Sequence, residues 1–143
     1  MQRRITLLRH GHAEEHPDDF GRALSEAGRG AAFHAGEALA RAGWTPEHIL
    51  ASSAPRAVAT AEMAARGSGF TGAIELDRAL YLASDERCMD ALRRLPASIG
   101  SVLLVGHNPG LSRLAAELCR HTSDLAPAEY ASVELELETW SEL

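Results

Sequence analysis

Val102-Leu103-Leu104-Val105 contains no polar residue and shows no alternation. A strand with one wet face alternates apolar and polar side chains. An unbroken apolar run instead belongs to a strand covered on both faces, as in a parallel sheet. Parallel neighbours must be joined by long crossovers, usually helices, and the chain provides them in alternation. Ile5 to Leu8, His48 to Ala51 and Ala73 to Leu76 read as short strands beside the strand from Ser101 to Val105. The first helical pattern is capped by Ser25, runs to about Arg41 and closes at Gly43, with Ala27, Ala31, Ala38 and Ala42 beside Leu39 on its packing face. The second opens at Pro55, turns Val58, Ala61 and Ala65 inward and stops near Gly67, leaving residues 67–72 as a flexible link. The third spans Asp85 to Leu95, with Cys88, Leu92 and Leu95 on one face, and Pro96 ends it. The fourth follows Gly110 and carries a core stripe of Leu111, Leu114 and Leu118. Ser132 to Glu138 differs, because Val133, Leu135 and Leu137 alternate there with Glu134, Glu136 and Glu138, the mark of an edge strand. The expected fold is α/β: a three-layer α/β/α sandwich whose central sheet is mostly parallel, with an antiparallel edge strand.

Size and charge narrow the function. A chain of 143 residues suits one domain spanning residues 1–143. Its net charge of −6 argues against non-specific binding to nucleic acid or to an anionic membrane. No apolar run is long enough to cross a bilayer, and Met1-Gln2-Arg3-Arg4 leads into no signal-peptide core, so a cytoplasmic protein is expected. Cys88 and Cys119 form no framework and are expected as reduced core residues. The glutamates of the edge strand discourage pairing with another copy, so a monomer is expected.

Three segments carry chemistry, each at a strand-to-helix junction. In open α/β sheets ligands bind outside the carboxyl ends of the strands. Arg9-His10-Gly11 ends the first strand. There His10 has the character of a nucleophile toward phosphorus, and Gly11 lets backbone come close to a ligand. Ser52-Ser53-Ala54-Pro55-Arg56 opens a helix, where free N–H groups and the helix dipole favour an anion and the Arg56 fork matches phosphoryl oxygens. Gly106-His107-Asn108-Pro109-Gly110 follows the apolar strand and aims His107 at the same sheet edge. Any one of these is compatible with a solvated side chain in a turn. Together, Arg9, Arg56 and His107 would surround a phosphoryl group that His10 attacks in line, a reaction made mostly of positioning and charge stabilisation. No histidine and carboxylate set has zinc spacing, so no metal and no cofactor are expected. His12, His16, His34, His48 and His121 show no partner pattern and read as surface or packing residues, and Trp44 and Trp140 as packing or rim residues.

The order Leu-Arg-His-Gly, then Ser-x-x-x-Arg-Ala-x-x-Thr-Ala-Glu, then Val-Gly-His-Asn-Pro-Gly resembles the small SixA-type phosphohistidine phosphatases of the histidine phosphatase (phosphoglycerate mutase-like) superfamily. The similarity covers about residues 4–120, and the loop reading Arg22-Ala23-Leu24-Ser25 before Gly28 adds to it. The resemblance implies a phosphoglycerate mutase-like fold without a cap domain. It implies a covalent phosphohistidine on His10, with Arg9, Arg56 and His107 completing the phosphate pocket. Gly11, Arg22 and Asn108 are assigned to substrate binding; Arg22 is otherwise a surface arginine paired with Asp18 or Asp19. Many members place a carboxylate after the third strand as general acid. Here Leu80-Tyr81 stands there, and Asp85 and Glu86 are weak substitutes that suit a helix start better. That lack fits a leaving group needing little protonation, such as imidazole. The expected substrate is phosphohistidine in a partner protein of signalling or phosphorelay type. The alternatives are a small phosphorylated metabolite, and a non-catalytic module that only binds phosphorylated partners.

Overall fold

The computed structural model describes all residues, Met1–Leu143. Five strands, β1 (Gln2–Arg9), β2 (His48–Ser52), β3 (Ile74–Asp77), β4 (Ser101–Gly106) and β5 (Tyr130–Glu136), form one sheet in the order β3-β2-β4-β1-β5. All neighbours are parallel except β1 and β5, which run antiparallel. Four helices provide the outer layers: α1 (Glu26–Arg41), α2 (Pro55–Ser68), α3 (Asp85–Arg93) and α4 (Gly110–Cys119). No helix is long and apolar enough to cross a membrane.

Each face of the sheet has its own core. Ile5, Leu7, Leu50, Val102 and Leu104 meet α3, α4 and Trp140 on one side. Leu8, Ile49, Ala51, Leu103 and Val105 meet α1 and α2 on the other. β4 lies at the centre of this arrangement, and residues Val102 to Val105 are at most 2% exposed, as a strand covered on both faces requires. The alternating glutamate strand is indeed at the sheet edge, although it begins at Tyr130 and ends at Glu136.

The helix ends and faces correct the expectations in two places. Ser25 caps α1, accepting from the Gly28 amide at 3.0 Å, but the buried face is Gly28, Ala32, Ala35, Gly36 and Leu39. Ala27, Ala31 and Ala42 point to solvent and Ala38 is only partly covered. The reason is contact at backbone distance: a Cβ at Gly36 would overlap the Ala64 carbonyl, and one at Gly67 would overlap the Phe33 carbonyl. Gly67 is therefore an interior seam residue of α2, not its stop. The helix ends at Gly69, whose φ of 80° closes it in the left-handed conformation. In α2 the inward residues include Ala57, Ala61 and Ala64, with Val58 only half-buried.

The thiols of Cys88 and Cys119 are free, and burial pushes both up to about 11, which keeps them inert as nucleophiles. Trp140 is completely buried against the α3–α4 side.

Candidate active site

Register brings the histidines together. Arg9 pairs with Gly106 across β1 and β4, and the His10 amide continues the ladder by donating to the Gly106 carbonyl at 3.1 Å. His10 and His107 therefore leave adjacent strands side by side, with ring centroids 5.1 Å apart. Ser52 ends β2, the next strand across, and its hydroxyl meets His107 Nε2 at 2.8 Å.

His10 is 8% exposed and His107 2% exposed. Nδ1 of His10 donates to the Gly11 carbonyl at 2.8 Å, since a carbonyl can only accept. That fixes the tautomer: in the neutral ring Nε2 carries the lone pair. Arg56 Nε donates to that nitrogen at 3.3 Å. Burial first, and then the charges of Arg56, Arg9 and Arg22, push His10 down to about 4. Burial likewise leads the shift of His107 to about 3. Desolvation is the larger cause of a neutral His10, and the cationic neighbours add to it.

A cavity of about 330 Å³ opens at this edge, lined by Arg9, His10, Gly11, His12, Ala13 and Asp19, with Arg22, Arg56, Leu82, His107, Asn108 and Pro127 completing the wall. Every residue assigned to the site from sequence lines it, although not all in the expected way. Gly11 is needed for protein packing: a Cβ there would press on the Gly28 carbonyl and the Leu24 side chain, and its amide donates to Thr60 Oγ1 at 3.0 Å. The Asn108 amide group donates to the Leu125 carbonyl at 3.0 Å, and its oxygen accepts from Ser112 at 2.7 Å, so it braces the turn after β4. Asp85 and Glu86 start α3, where acids match the helix dipole, and neither lines the cavity.

Arg9 reaches the Leu125 carbonyl through Nη1 at 3.0 Å, while its buried Nε has no partner within the protein; His107 Nδ1 is also buried and unpaired. Buried polar atoms are ordinarily satisfied, so two such atoms in one cavity point to a ligand with hydrogen-bonding oxygens.

Sequence reasoning missed five members of this wall, His12, Ala13, Asp19, Leu82 and Pro127, and three of them bear on what it can bind. His12, set aside as a surface residue, lines the cavity with Nδ1 held by Ser25 Oγ at 2.8 Å. Leu82, 55% exposed with φ 49°, puts an apolar side chain on the rim. Asp19 comes from a short 3-10 turn, Asp19–Gly21, ahead of α1. Its main-chain oxygen accepts from Arg56 Nη1 at 2.8 Å and its Oδ2 from Arg56 Nη2 at 3.0 Å. Tyr81, in the segment after β3, donates its hydroxyl to the same Oδ2 and lays its ring edge-on to Phe20 and His107. Arg22 sits 3.5 Å from Asp19 Oδ1, so it both pairs with Asp19 and faces the cavity. No local pattern announces these contacts, because Asp19 and Tyr81 are far apart in sequence and meet only once the sheet has formed.

The sequence profile of the histidine phosphatase superfamily, branch 1, matches residues 5–81, more than half of the chain. Among solved structures, the protein assigned as SixA from Nakamurella multipartitia superimposes with a TM-score of 0.81 at 22% identity, over 99% of this chain and 89% of that one. The protein assigned as SixA from Agrobacterium tumefaciens gives 0.79 at 27% identity, over 91% and 90% of the two chains. A protein histidine phosphatase SixA complexed with tungstate gives 0.78 at 23% identity, over 94% and 88%.

Proposed function

Because the chain belongs to the histidine phosphatase superfamily, as a SixA-type phosphatase, we propose that it removes phosphoryl groups from phosphohistidine in a partner protein, through a phosphohistidine formed on His10. The observation that carries this reading is the state of His10: buried, held neutral, and locked by Gly11 so that Nε2 keeps its lone pair among Arg9, Arg56 and His107.

The reaction would run in two displacements. A phosphoryl group settles against the guanidinium groups of Arg9 and Arg56, with the unpaired Arg9 Nε and His107 Nδ1 placed to meet its oxygens. Arg56 Nε yields its contact with His10 Nε2, which attacks phosphorus while the carrier's imidazole departs with the bonding electron pair. Water then attacks phospho-His10, the P–N bond breaks back to His10, and orthophosphate leaves. Charge on the phosphoryl oxygens is met by guanidinium and imidazole groups, so the activity should not need a metal. A protein-borne phosphate is favoured because the cavity is small and open, with an exposed leucine at its lip for a carrier surface to meet. The name given to the relative at 27% identity points the same way.

The test is release of phosphate from a histidine-phosphorylated protein by wild type and by His10→Ala, in EDTA, with p-nitrophenyl phosphate in parallel. Turnover of the phosphoprotein by wild type alone is the expected result. Removing the nucleophile should lower the rate by at least ~1,000-fold. Turnover only of the small ester would keep the chemistry and overturn the protein substrate.

A further inference from the structure

Hydrolysis of phospho-His10 leaves one requirement that neither His10, His107 nor the arginines meet. The attacking water has to give up a proton as its oxygen bonds to phosphorus. His10 is then the leaving group, His107 is committed to Ser52 through Nε2, and guanidinium groups accept no proton. Of the residues lining the cavity, Asp19 is the only carboxylate.

We propose that Asp19 is a catalytic residue of this site: it takes the proton of the water that hydrolyses phospho-His10. The inference rests on the phosphohistidine reading above and deepens it.

The placement of Asp19 suits an in-line displacement. Water must approach phosphorus from the side opposite His10 Nε2, so its base has to stand away from His10 across the phosphoryl group. Arg56 spans that gap. Its Nε contacts His10 Nε2, and its two terminal nitrogens are gripped by the main-chain oxygen and Oδ2 of Asp19. The nucleophile and the carboxylate thus occupy different ends of one buried guanidinium, with Arg56 only 2% exposed.

The two carboxylate oxygens also divide their work. Oδ2 accepts from Tyr81 and Arg56, which hold the group in place. Oδ1 has only the longer ion pair to Arg22 at 3.5 Å and keeps lone pairs for water. Asp19 is 48% exposed, so bulk water reaches it. The Tyr81 hydrogen bond, followed by the Arg56 and Arg22 contacts, keeps its carboxyl below the usual range, hence ionised wherever His10 is neutral. Such a carboxylate is a weak base. Phosphoryl transfer through a loose transition state needs little bond formation from water before the P–N bond has largely broken, so orientation and late proton acceptance suffice.

The step balances as follows. Water oxygen bonds to phosphorus, the P–N electron pair returns to His10 Nε2, and one water proton passes to Asp19 Oδ1. The proton leaves with orthophosphate or to solvent, restoring the carboxylate.

The experiment is a single turnover with a radiolabelled histidine-phosphorylated protein, quenched in alkaline detergent, following label on the enzyme and free phosphate. Asp19→Asn should form phospho-His10 at close to the wild-type rate and lose it roughly 100-fold more slowly, so label accumulates. Asp19→Ala should accumulate label too, and formate should restore release. Tyr81→Phe, which keeps the carboxylate and frees its Oδ2, should show a milder form of the same trapping. Wild-type release by Asp19→Asn without accumulation overturns the assignment. An equal loss of labelling and release, together with weaker tungstate binding, would reduce Asp19 to a positioning residue for Arg56. Accumulation in His12→Gln with none in Asp19→Asn would move the role to the other titratable side chain on the rim. His10→Ala must take no label. If wild type takes none either, the phosphohistidine reading falls, and this inference falls with it.

Discussion

His10 and His107 resist protonation because they are buried, and the guanidinium groups around them act in the same direction. In an unfolded chain an imidazole titrates near ~6.5. Above that value both residues are neutral in both states and contribute no pH dependence. Below it the unfolded chain takes up protons that the folded site refuses, so stability falls as pH drops from ~6.5 through about 4 for His10 and about 3 for His107. Urea midpoints measured across this range should show that decline, and His10→Gln should flatten part of it. Turnover should keep its nucleophile over the same interval, with an acid limb closer to 4 than to 6.5. An acid limb at the ordinary imidazole value would contradict the burial argument. At this scale the sequence was half legible. His10, Arg56 and His107 could be found because each follows an apolar strand or opens a helix, places where side chains face a ligand whatever the rest of the fold does. Asp19 could not, because its role depends on Tyr81 and Arg56, which only tertiary structure brings to it. Asn108 stood in a promising motif but spends its amide on Leu125 and Ser112.

The helices show how composition can hide orientation. α1 is rich in small residues on every side, so periodicity alone could not separate Ala27, Ala31, Ala38 and Ala42 from Gly28, Ala32, Ala35 and Gly36. What selects the buried face is how near α2 comes, and the glycines set that approach. Gly36→Ala and Gly67→Ala should each destabilise the fold by ~1–3 kcal/mol through overpacking at a backbone contact. Gly30→Ala lies on the same helix with open space around it and should have the opposite sign, stabilising by ~0.5–1 kcal/mol. Chemical denaturation of the three variants checks both signs at once. Strands were easier to read, because an apolar run or a strict alternation leaves fewer choices than a helix of alanines. Errors there were confined to ends: β5 starts two residues early, and β3 shifts by one.

Across the whole molecule, β1 carries at its two ends arginines with different tasks, Arg3 buried and Arg9 half-buried. Arg9 faces the cavity, whereas Arg3, 1% exposed, donates to the carbonyls of Ala97 at 2.7 Å, Ile99 at 2.7 Å and Leu137 at 3.2 Å, and also to that of Glu138. Its guanidinium lies over the Trp140 ring. This knot ties the strand's start to the loop before β4 and to the C-terminal segment. It was not legible in the sequence because its partners are main-chain oxygens, which no side-chain pattern encodes. Arg3→Met should destabilise by ~2–4 kcal/mol, as carbonyls lose a charged donor. Turnover per folded molecule should stay near wild type, since the knot is at the opposite end of β1 from the cavity; urea midpoints and kcat measured on the same preparation separate the two. The parallel pairing of β1 with β4 has one more consequence. The gap between the two imidazoles is a rung spacing of the sheet, so the backbone acts as a ruler with fixed graduations. Substitutions in the surrounding loops can change what approaches the pair, but altering the gap itself would require moving a strand by a whole residue, which would also send its side chains to the opposite core.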